Sequence, residues 1–391
     1  MAALLVFAVT LVLAVLVSDL AARSILSTAV IFLVAGFVSG VGGAGWIRLD
    51  PNSHQITDFF SVALCIVLFT DGMHVSQRDL HQVWRLASRT LLVGMPLTMG
   101  LTAMFCRWLT HLTWTQSFLV GAALSPTDPI FAAAIVGREE VSVRVRRLLN
   151  VESGLNDGLA LPAVMLLLGA LGVQAPTLGK DIEELLVGTF VGVAVPWIVI
   201  AALESRYFAA VGVYERLGAT AIGLVVFALA GNLRANQFLA MFVAGIAISI
   251  KSSNMQAAFA EFGETLSELA KLAAVLIFGS FFSFELFRSV PLQTYLFVAL
   301  VLFIVRPFAL APALAGHRLS PREWYAIVWF GPKGFASLLF AFLILNSGIR
   351  DSRVISGLIG LVVVASILAH SSTDVLIARS FTSHKQGLRA S

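Results

Sequence analysis

Long apolar runs alternate with short polar stretches from one end of the chain to the other. An α-helix needs about 20 apolar residues to cross the hydrocarbon core of a bilayer, and most of these runs come close to that length. Because the runs at 58–74 and 236–250 are short, twelve crossings is an alternative to about thirteen. The pattern predicts an all-α polytopic membrane protein in which residues 1–391 form a single transmembrane domain. The apolar segments extend approximately over 2–18, 25–46, 58–74, 87–110, 114–137, 147–173, 184–203, 217–233, 236–250, 264–284, 290–315, 323–347 and 354–378.

Composition supports the membrane assignment. Hydrophobic residues make up 58% of the chain, charged residues only 12%, and the mean hydropathy is +0.91. Soluble domains carry about 25% charged residues, so soluble globular, disordered and coiled-coil classes are excluded. The net charge of +4 comes from basic residues in short loops, which indicates membrane topology and no nucleic-acid partner. Cys65 and Cys106 are isolated within apolar segments, so neither a disulfide framework nor a resident metal or cofactor is expected.

The distribution of Lys and Arg predicts the orientation. Sixteen of them lie in the loops after odd-numbered segments, at the segment ends next to these loops, or in the C-terminal tail. Seven lie in the loops after even-numbered segments or at the adjoining segment ends. Positive residues accumulate on the cytoplasmic side of a membrane. We therefore expect a multi-pass protein of the inner or plasma membrane with its N-terminus outside and its C-terminus in the cytoplasm.

Charged residues inside the apolar segments are the first candidates for function, since a charge at the bilayer centre costs about 2.5–3.5 kcal/mol on insertion scales. At the start of the tenth segment, Glu264, Glu268 and Lys271 share one helical face, which we interpret as a charge cluster at the membrane interface. The alternative is that they form part of a cytoplasmic ion funnel or a pH sensor. The charges that we place within the membrane, away from the segment ends, are Asp71, Asp128, Glu152, Asp157, Glu268, Lys271, Arg306 and Lys333.

Two of the segments cannot be continuous helices. The fifth contains Leu-Ser-Pro-Thr-Asp-Pro-Ile at 124–130, and the twelfth contains Trp-Phe-Gly-Pro-Lys-Gly at 329–334. The two lie seven segments apart, so they run in opposite directions, as they would in an inverted repeat of segments 1–6 and 8–13. Paired broken helices in corresponding positions indicate the binding site of a transporter.

The sixth segment supplies the matching chemistry in Asn-Val-Glu-Ser-Gly-Leu-Asn-Asp-Gly at 150–158. Ser153 and Asp157 share one helical face, and Glu152 and Asn156 share another. Asp157, Ser153 and Thr127 offer the oxygen ligands that hard metal cations prefer. A carboxylate kept from water can hold a proton or a cation, but not both at once. This competition at Asp157 predicts an antiporter.

The remaining acid of the broken fifth segment, Asp128, leaves two interpretations open. It either contributes to cation and proton binding or caps the positive end of a broken helix.

The two motifs together resemble those of the monovalent cation:proton antiporters, in particular the Asn-Asp branch of sodium/proton exchangers found in bacteria and archaea. The number and order of segments agree over most of the chain. The resemblance implies two crossed broken helices and Asp157 as the cation and proton carrier. It further implies that Thr127, Ser153 and Asp128 complete or polarise the site, and that Glu152 pairs with a basic residue on the twelfth segment. Asn156 would pin the crossing of the broken helices, and Arg306 would be structural.

The same resemblance implies the architecture and the activity. An ion-transporting core of 87–173 and 290–378 would move like an elevator against a dimerisation scaffold of 1–74 and 217–284, with 184–203 as a linking helix. The expected activity is electroneutral exchange of Na⁺, or Li⁺, for H⁺ by a homodimer that is not an enzyme; K⁺/H⁺ exchange is the alternative. The expected partners are monovalent cations, protons and membrane lipids.

Two departures from the family pattern bear on mechanism. Lys333 stands where many members carry Arg, and since a buried Lys can lose its proton, a stoichiometry other than one to one stays open. The third segment reads Leu-Phe-Thr-Asp-Gly-Met at 68–73 where members often read Leu-Phe-Glu-Gly-Gly-Leu. This moves the acid by one position, so we expect Asp71 to line an access funnel and not to bind the cation.

Two other classes of protein fit less well. An intramembrane aspartyl protease would need Asp128 and Asp157 on unbroken helices, and a channel would need a ring of pore-lining charges. The prolines around Asp128 and the second break disfavour both.

Overall fold

The computed structural model describes residues 1–18, 27–51, 53–75, 77–128, 142–172, 178–205, 213–317 and 319–389. Every regular element in these ranges is helical, and each of the thirteen apolar segments contains a helix. The predicted all-α fold is therefore confirmed. The second half of the fifth segment, from Pro129 onward, lies outside the described residues.

The helices are numbered in chain order. Two π-helical turns, Thr90–Gly94 and Val301–Val305, join α4 to α5 and α13 to α14. The helices are α1 Ala2–Leu16, α2 Thr28–Ser39, α3 His54–His74, α4 Gln77–Arg89, α5 Met95–Leu109, α6 Trp114–Ala123, α7 Val143–Ala170, α8 Leu178–Leu203, α9 Val213–Asn232, α10 Gln237–Lys251, α11 Ser253–Gly279, α12 Phe284–Ser289, α13 Leu292–Leu300, α14 Arg306–Leu314, α15 Pro321–Trp329, α16 Phe335–Leu345 and α17 Ser352–Arg389.

Length and hydropathy mark many of these helices as membrane helices. In the described ranges, six helices are long and apolar enough to span a bilayer, and five more are apolar but shorter. The six are His54–His74, Val83–Leu109, Val143–Ala170, Ile182–Leu203, Leu292–Leu314 and Ser352–His370; the five are Ala2–Leu16, Thr28–Ser39, Leu217–Asn232, Gln237–Lys251 and Phe335–Leu345.

The helix α11 differs most from its apolar segment at its start. It begins at Ser253, well before the predicted start near residue 264. Its first turns are amphipathic, because Met255 and Phe259 are buried whereas Asn254 and Glu261 are exposed, and a continuous apolar run does not mark such a beginning.

Irregularities recur at corresponding places in the two halves of the chain. Each π-helical turn is followed by a helix with proline at its second position, Pro96 in α5 and Pro307 in α14. These turns lie in the fourth and eleventh segments, and the breaks lie in the fifth and twelfth. An offset of seven segments relates both pairs, as the inverted repeat requires.

The offset of seven segments also relates two close helix crossings to each other. Gly72 of α3 and Gly245 of α10 each lie against the backbone of the opposite helix, where a β-carbon would collide with a carbonyl group. Gly36 of α2 and Gly279 of α11 make the equivalent crossing. Small residues let membrane helices approach closely and pack without a hydrophobic driving force. These crossings join α2, α3, α10 and α11 into one tightly packed unit.

Candidate functional site

The breaks of the fifth and twelfth segments meet inside the protein. The helix α6 ends at Ala123, and α15 and α16 leave residues 330–334 without helical structure. The backbone amide of Asp128 donates to the carbonyl oxygen of Pro332 at 3.0 Å. Gly334 lies so close that a β-carbon there would collide with the side chain of Asp128. The two irregular segments therefore touch directly, and each supplies a partner for a backbone group that a broken helix leaves unpaired.

Asp128 caps the second half of the broken twelfth segment. Its Oδ2 accepts a hydrogen bond at 3.1 Å from the backbone amide of Phe335, the first residue of α16. A carboxylate at this position also neutralises the positive end of the helix dipole. The structure thus shows the capping contact, and a part of Asp128 in cation and proton binding stays a prediction.

The residues of α7 connect this crossing to the sixth segment. The hydroxyl of Ser153 donates to the carbonyl oxygen of Thr127 at 2.7 Å, and Nδ2 of Asn156 donates to Oγ1 of Thr127 at 2.7 Å. Both donors act on the same residue of the fifth-segment break. Asn156 thus contacts the broken helix that it was expected to hold.

Asp157 lies one turn after Ser153 and is only 5% exposed. Its Oδ1 has no hydrogen-bond partner in the described part of the chain, and the same is true of Oδ1 of Asn156. Buried polar atoms are nearly always paired, because an unpaired one loses the interactions it would make with water. A carboxylate oxygen in this position is therefore suited to a proton or a cation. We call Asp157, Ser153 and Thr127 the exchange site.

Glu152 has a different partner from the one expected. Its Oε1 lies 3.0 Å from Nη1 of Arg306 in α14, and both side chains are almost fully buried. The pairing with a basic residue of the twelfth segment is thus wrong. The same guanidinium donates to the carbonyl oxygens of Val328 and Ile327, both at 3.1 Å. The planar fork of Arg306 thus holds a carboxylate and the carbonyl end of α15 together.

Lys333, the base of the twelfth segment, points elsewhere. Its Nζ donates to the carbonyl oxygen of Pro126 at 3.5 Å, and its backbone amide donates to Oγ of Ser366 at 2.7 Å. Lys333 therefore contacts the broken fifth segment and helix α17. All eight residues singled out by the motifs are buried close to this crossing: Thr127, Asp128, Glu152, Ser153, Asn156, Asp157, Arg306 and Lys333.

The motifs did not identify Lys271 of α11. We interpreted it, with Glu264 and Glu268, as a charge cluster at the membrane interface. Within the protein Lys271 is buried, at 8% exposed, whereas Glu264 is exposed. A signal was present in the sequence, since Lys271 continues a stripe of inward positions spaced by four residues. The other buried members of this stripe are Met255, Phe259, Gly263 and Ser267.

Comparison with known proteins gives three findings. A family model described as "Sodium/hydrogen exchanger, transmembrane" matches residues 7–378. The K(+)/H(+) antiporter NhaP2 of Shewanella sp. strain MR-4 is 23% identical over 372 residues, which cover 93% of this chain and 64% of that protein. The Na(+)/H(+) antiporter 2 of Zygosaccharomyces rouxii is 31% identical over 150 residues, 35% of this chain and 18% of that protein. The chain thus spans less than two thirds of the length of these curated relatives.

Solved structures share the fold. The structure of the sodium proton antiporter MjNhaP1 from Methanocaldococcus jannaschii at pH 8 aligns with a TM-score of 0.75. The match covers 97% of this chain and 99% of that one at 19% sequence identity. At this identity the likeness establishes the arrangement of helices and nothing finer.

Proposed function

Because the chain belongs to the sodium/hydrogen exchanger transmembrane family, we propose that it exchanges a monovalent cation for protons across the cell membrane. The observation that carries the proposal is the buried carboxylate of Asp157, whose Oδ1 has no hydrogen-bond partner among the described residues. It lies one turn from Ser153, which contacts the broken fifth segment. One acid next to irregular backbone, inside a membrane protein, is what a carrier for a small cation requires.

The exchange site can bind a cation through oxygen atoms alone. Ser153 uses its single hydroxyl hydrogen on the carbonyl of Thr127, so the lone pairs of its oxygen are left to accept. With Oδ1 of Asp157 they form a small set of hard oxygen donors. A proton on Asp157 removes the charge that attracts the cation, so the two ligands exclude each other.

Charge neutrality favours one proton for one cation. Glu152 is paired with Arg306, and Oδ2 of Asp128 accepts from the first amide of α16, so each of these acids already has a partner. Asp157 then carries the one charge that either ligand neutralises. We propose electroneutral exchange on this basis.

We propose Na⁺, together with Li⁺, as the cation. A second candidate, K⁺, is favoured by the names of the relatives that match 93% of the chain, which are K⁺/H⁺ antiporters. A carboxylate with hydroxyl oxygens does not by itself discriminate between the two ions, so ion competition must decide.

Alternating access is proposed as an elevator movement of the core, 87–173 and 290–378, against the scaffold, 1–74 and 217–284, with 184–203 linking them. The glycine crossings of α2, α3, α10 and α11 support a rigid scaffold. Between α3 and the helices α7 and α16, at the boundary of the proposed core and scaffold, lies an apolar cavity of about 280 Å³. Its lining includes Phe60, Leu64, Met165, Leu168, Leu339 and Phe342. We propose a homodimer with its N-terminus outside and its C-terminus in the cytoplasm.

The test is proton flux in proteoliposomes during addition of Na⁺, Li⁺ or K⁺, with wild type compared with Asp157→Asn. Asp58→Asn is the matched control, because it makes the same chemical change on an exposed residue. We expect cation-dependent loss of the pH gradient in wild type and in the control, and none in Asp157→Asn. Exchange that survives Asp157→Asn would contradict the assignment of the carrier. No cation-dependent flux with any of the three ions would contradict the proposed activity.

A further inference from the structure

A phenyl ring of the proposed scaffold is seated on the helix that carries the exchange site. Phe242 of α10 lies against Gly158 of α7, the residue directly after Asp157, and both Phe242 and Gly158 are buried. A β-carbon on Gly158 would collide with the outer edge of this ring, at Cδ1, Cε1 and Cζ. The ring therefore occupies the space that a side chain would fill at position 158. A residue larger than glycine there would force one helix to shift against the other.

The backbone that carries this ring is held within the scaffold. The carbonyl oxygen of Phe242 lies at the close crossing of α10 and α3, where a β-carbon on Gly72 would collide with it. Two turns later, the hydroxyl of Ser249 donates to the carbonyl oxygen of Val75 at 2.7 Å, which joins the ends of the same two helices. Because its own helix is fixed to α3, Phe242 does not follow α7 when the proposed core moves. The ring must then leave its place on Gly158.

The positions one turn away on α7 differ in the room that they offer the ring. Towards the C-terminal end of α7, Leu161 and Pro162 follow on this face, and the side chain of Leu161 is fully buried. In the other direction lies Gly154, four residues before Gly158 and thus on the same face. A β-carbon on Gly154 would meet nothing nearer than the carbonyl oxygen of Asp71 at 3.4 Å, which is an ordinary contact. Gly154 therefore offers the ring a second position without a side chain.

We propose that Phe242 and these two glycines form a latch with two positions, in which the ring rests on Gly158 in one access state and on Gly154 in the other. This inference rests on the proposed exchange activity and elevator movement, and it specifies the length of the step. Four residues of an α-helix measure about 6 Å, so the exchange site moves by one helical turn relative to the scaffold. Packed interfaces have discrete arrangements, because interlocked side chains collide at intermediate positions.

The test measures exchange in proteoliposomes together with cation binding, which is read from the rise in melting temperature of the purified protein with Na⁺, Li⁺ or K⁺. The first variant is Gly154→Ala, because the protein has room for a methyl group at this position. We expect it to bind the cation as wild type does but to lose exchange, since the methyl group closes the second position of the latch. Gly100→Ala is the matched control. It makes the same change in the proposed core with open space around it, and it should keep both properties.

Shortening the side chain of Phe242 should reverse the loss. Addition of Phe242→Ala to Gly154→Ala is expected to restore exchange, because a short side chain passes an alanine at either position. Gly158→Ala should likewise lose exchange and regain it with Phe242→Ala, since its β-carbon collides with the ring. Phe242→Val takes the place of Phe242→Ala if the latter does not fold, because Val also lacks the ring atoms that reach α7. Phe238→Ala, the same change one turn earlier on α10, should restore neither glycine variant.

Exchange by Gly154→Ala at the wild-type rate would overturn the latch, as would a loss that Phe242→Ala does not reverse or that Phe238→Ala reverses equally. Loss of cation binding in Gly154→Ala would also overturn it, because the defect would then be local damage next to Ser153 and not a blocked movement. Failure of the proposed function gives a different result. In that case wild type itself shows no cation-dependent exchange, whereas exchange by wild type together with an unaffected Gly154→Ala refutes only the latch.

Discussion

The ion pair between Arg306 and Glu152 should contribute more to the stability of the protein than any other single polar contact near the exchange site. We consider Arg306→Met, which removes the guanidinium and keeps an apolar side chain of similar length. The change breaks the 3.0 Å contact with Glu152 and both 3.1 Å bonds to the carbonyls of Ile327 and Val328. Glu152 is then left as a buried charge without its partner.

The magnitude follows from these contacts. Removing one partner of a buried ion pair costs about 3–5 kcal/mol, because the other charge stays desolvated. By contrast, Lys333→Met removes one long bond, 3.5 Å, to the carbonyl of Pro126, and a single hydrogen bond contributes about 1 kcal/mol. We expect Arg306→Met to lower the free energy of unfolding by at least about 2 kcal/mol more than Lys333→Met does.

The assay is unfolding of the purified protein in mixed micelles, with folded fraction followed as denaturing detergent is added. Addition of Glu152→Gln to Arg306→Met should restore part of the loss, since the amide removes the unpaired charge. Equal losses for Arg306→Met and Lys333→Met would refute the assignment of Arg306 as the partner of Glu152. So would a double variant that is no more stable than Arg306→Met alone.

Three further predictions address the scaffold, the core and the stoichiometry. Gly245→Ala should destabilise the protein by about 1–3 kcal/mol, because the added β-carbon collides with α3. Gly100→Ala is the control, since Gly100 has open space around it and the change should not destabilise the protein. Equal effects of the two changes in thermal unfolding would contradict the close crossing. Ser320→Ala should cost about 1 kcal/mol by removing the capping box at the start of α15, and an unchanged melting temperature would count against it. Exchange in proteoliposomes should not respond to an imposed voltage; a response that disappears in Lys333→Arg would instead show that Lys333 releases a proton during transport.

Local features of the sequence account for most of the fold. Apolar runs locate the helices because a membrane leaves the backbone no partner outside its own segment. Prolines and glycines at 126–129 and 331–334 locate the breaks, because their conformational limits act on their own neighbours. For the same reason the four-residue spacing in α7 correctly brings Ser153 and Asp157 to one face.

Averaged hydropathy does not locate the start of a helix that is amphipathic. The start of α11 was missed because its buried Met255 and Phe259 alternate with exposed positions such as Asn254 and Glu261, and an average over neighbours hides this pattern. The interpretation of Lys271 rested instead on the face that it shares with Glu264 and Glu268. Spacing within one helix does not show which of these side chains the neighbouring helices cover.

The sequence by itself determined the membrane class, the helical segments, the two breaks and the acid at their crossing. The tertiary structure alone decided that Glu152 pairs with Arg306 rather than Lys333, and that Asp128 caps α16. Each of these contacts joins residues far apart in the chain. Which side chains meet is set by the rotation and crossing of packed helices, and no periodicity within one segment encodes these.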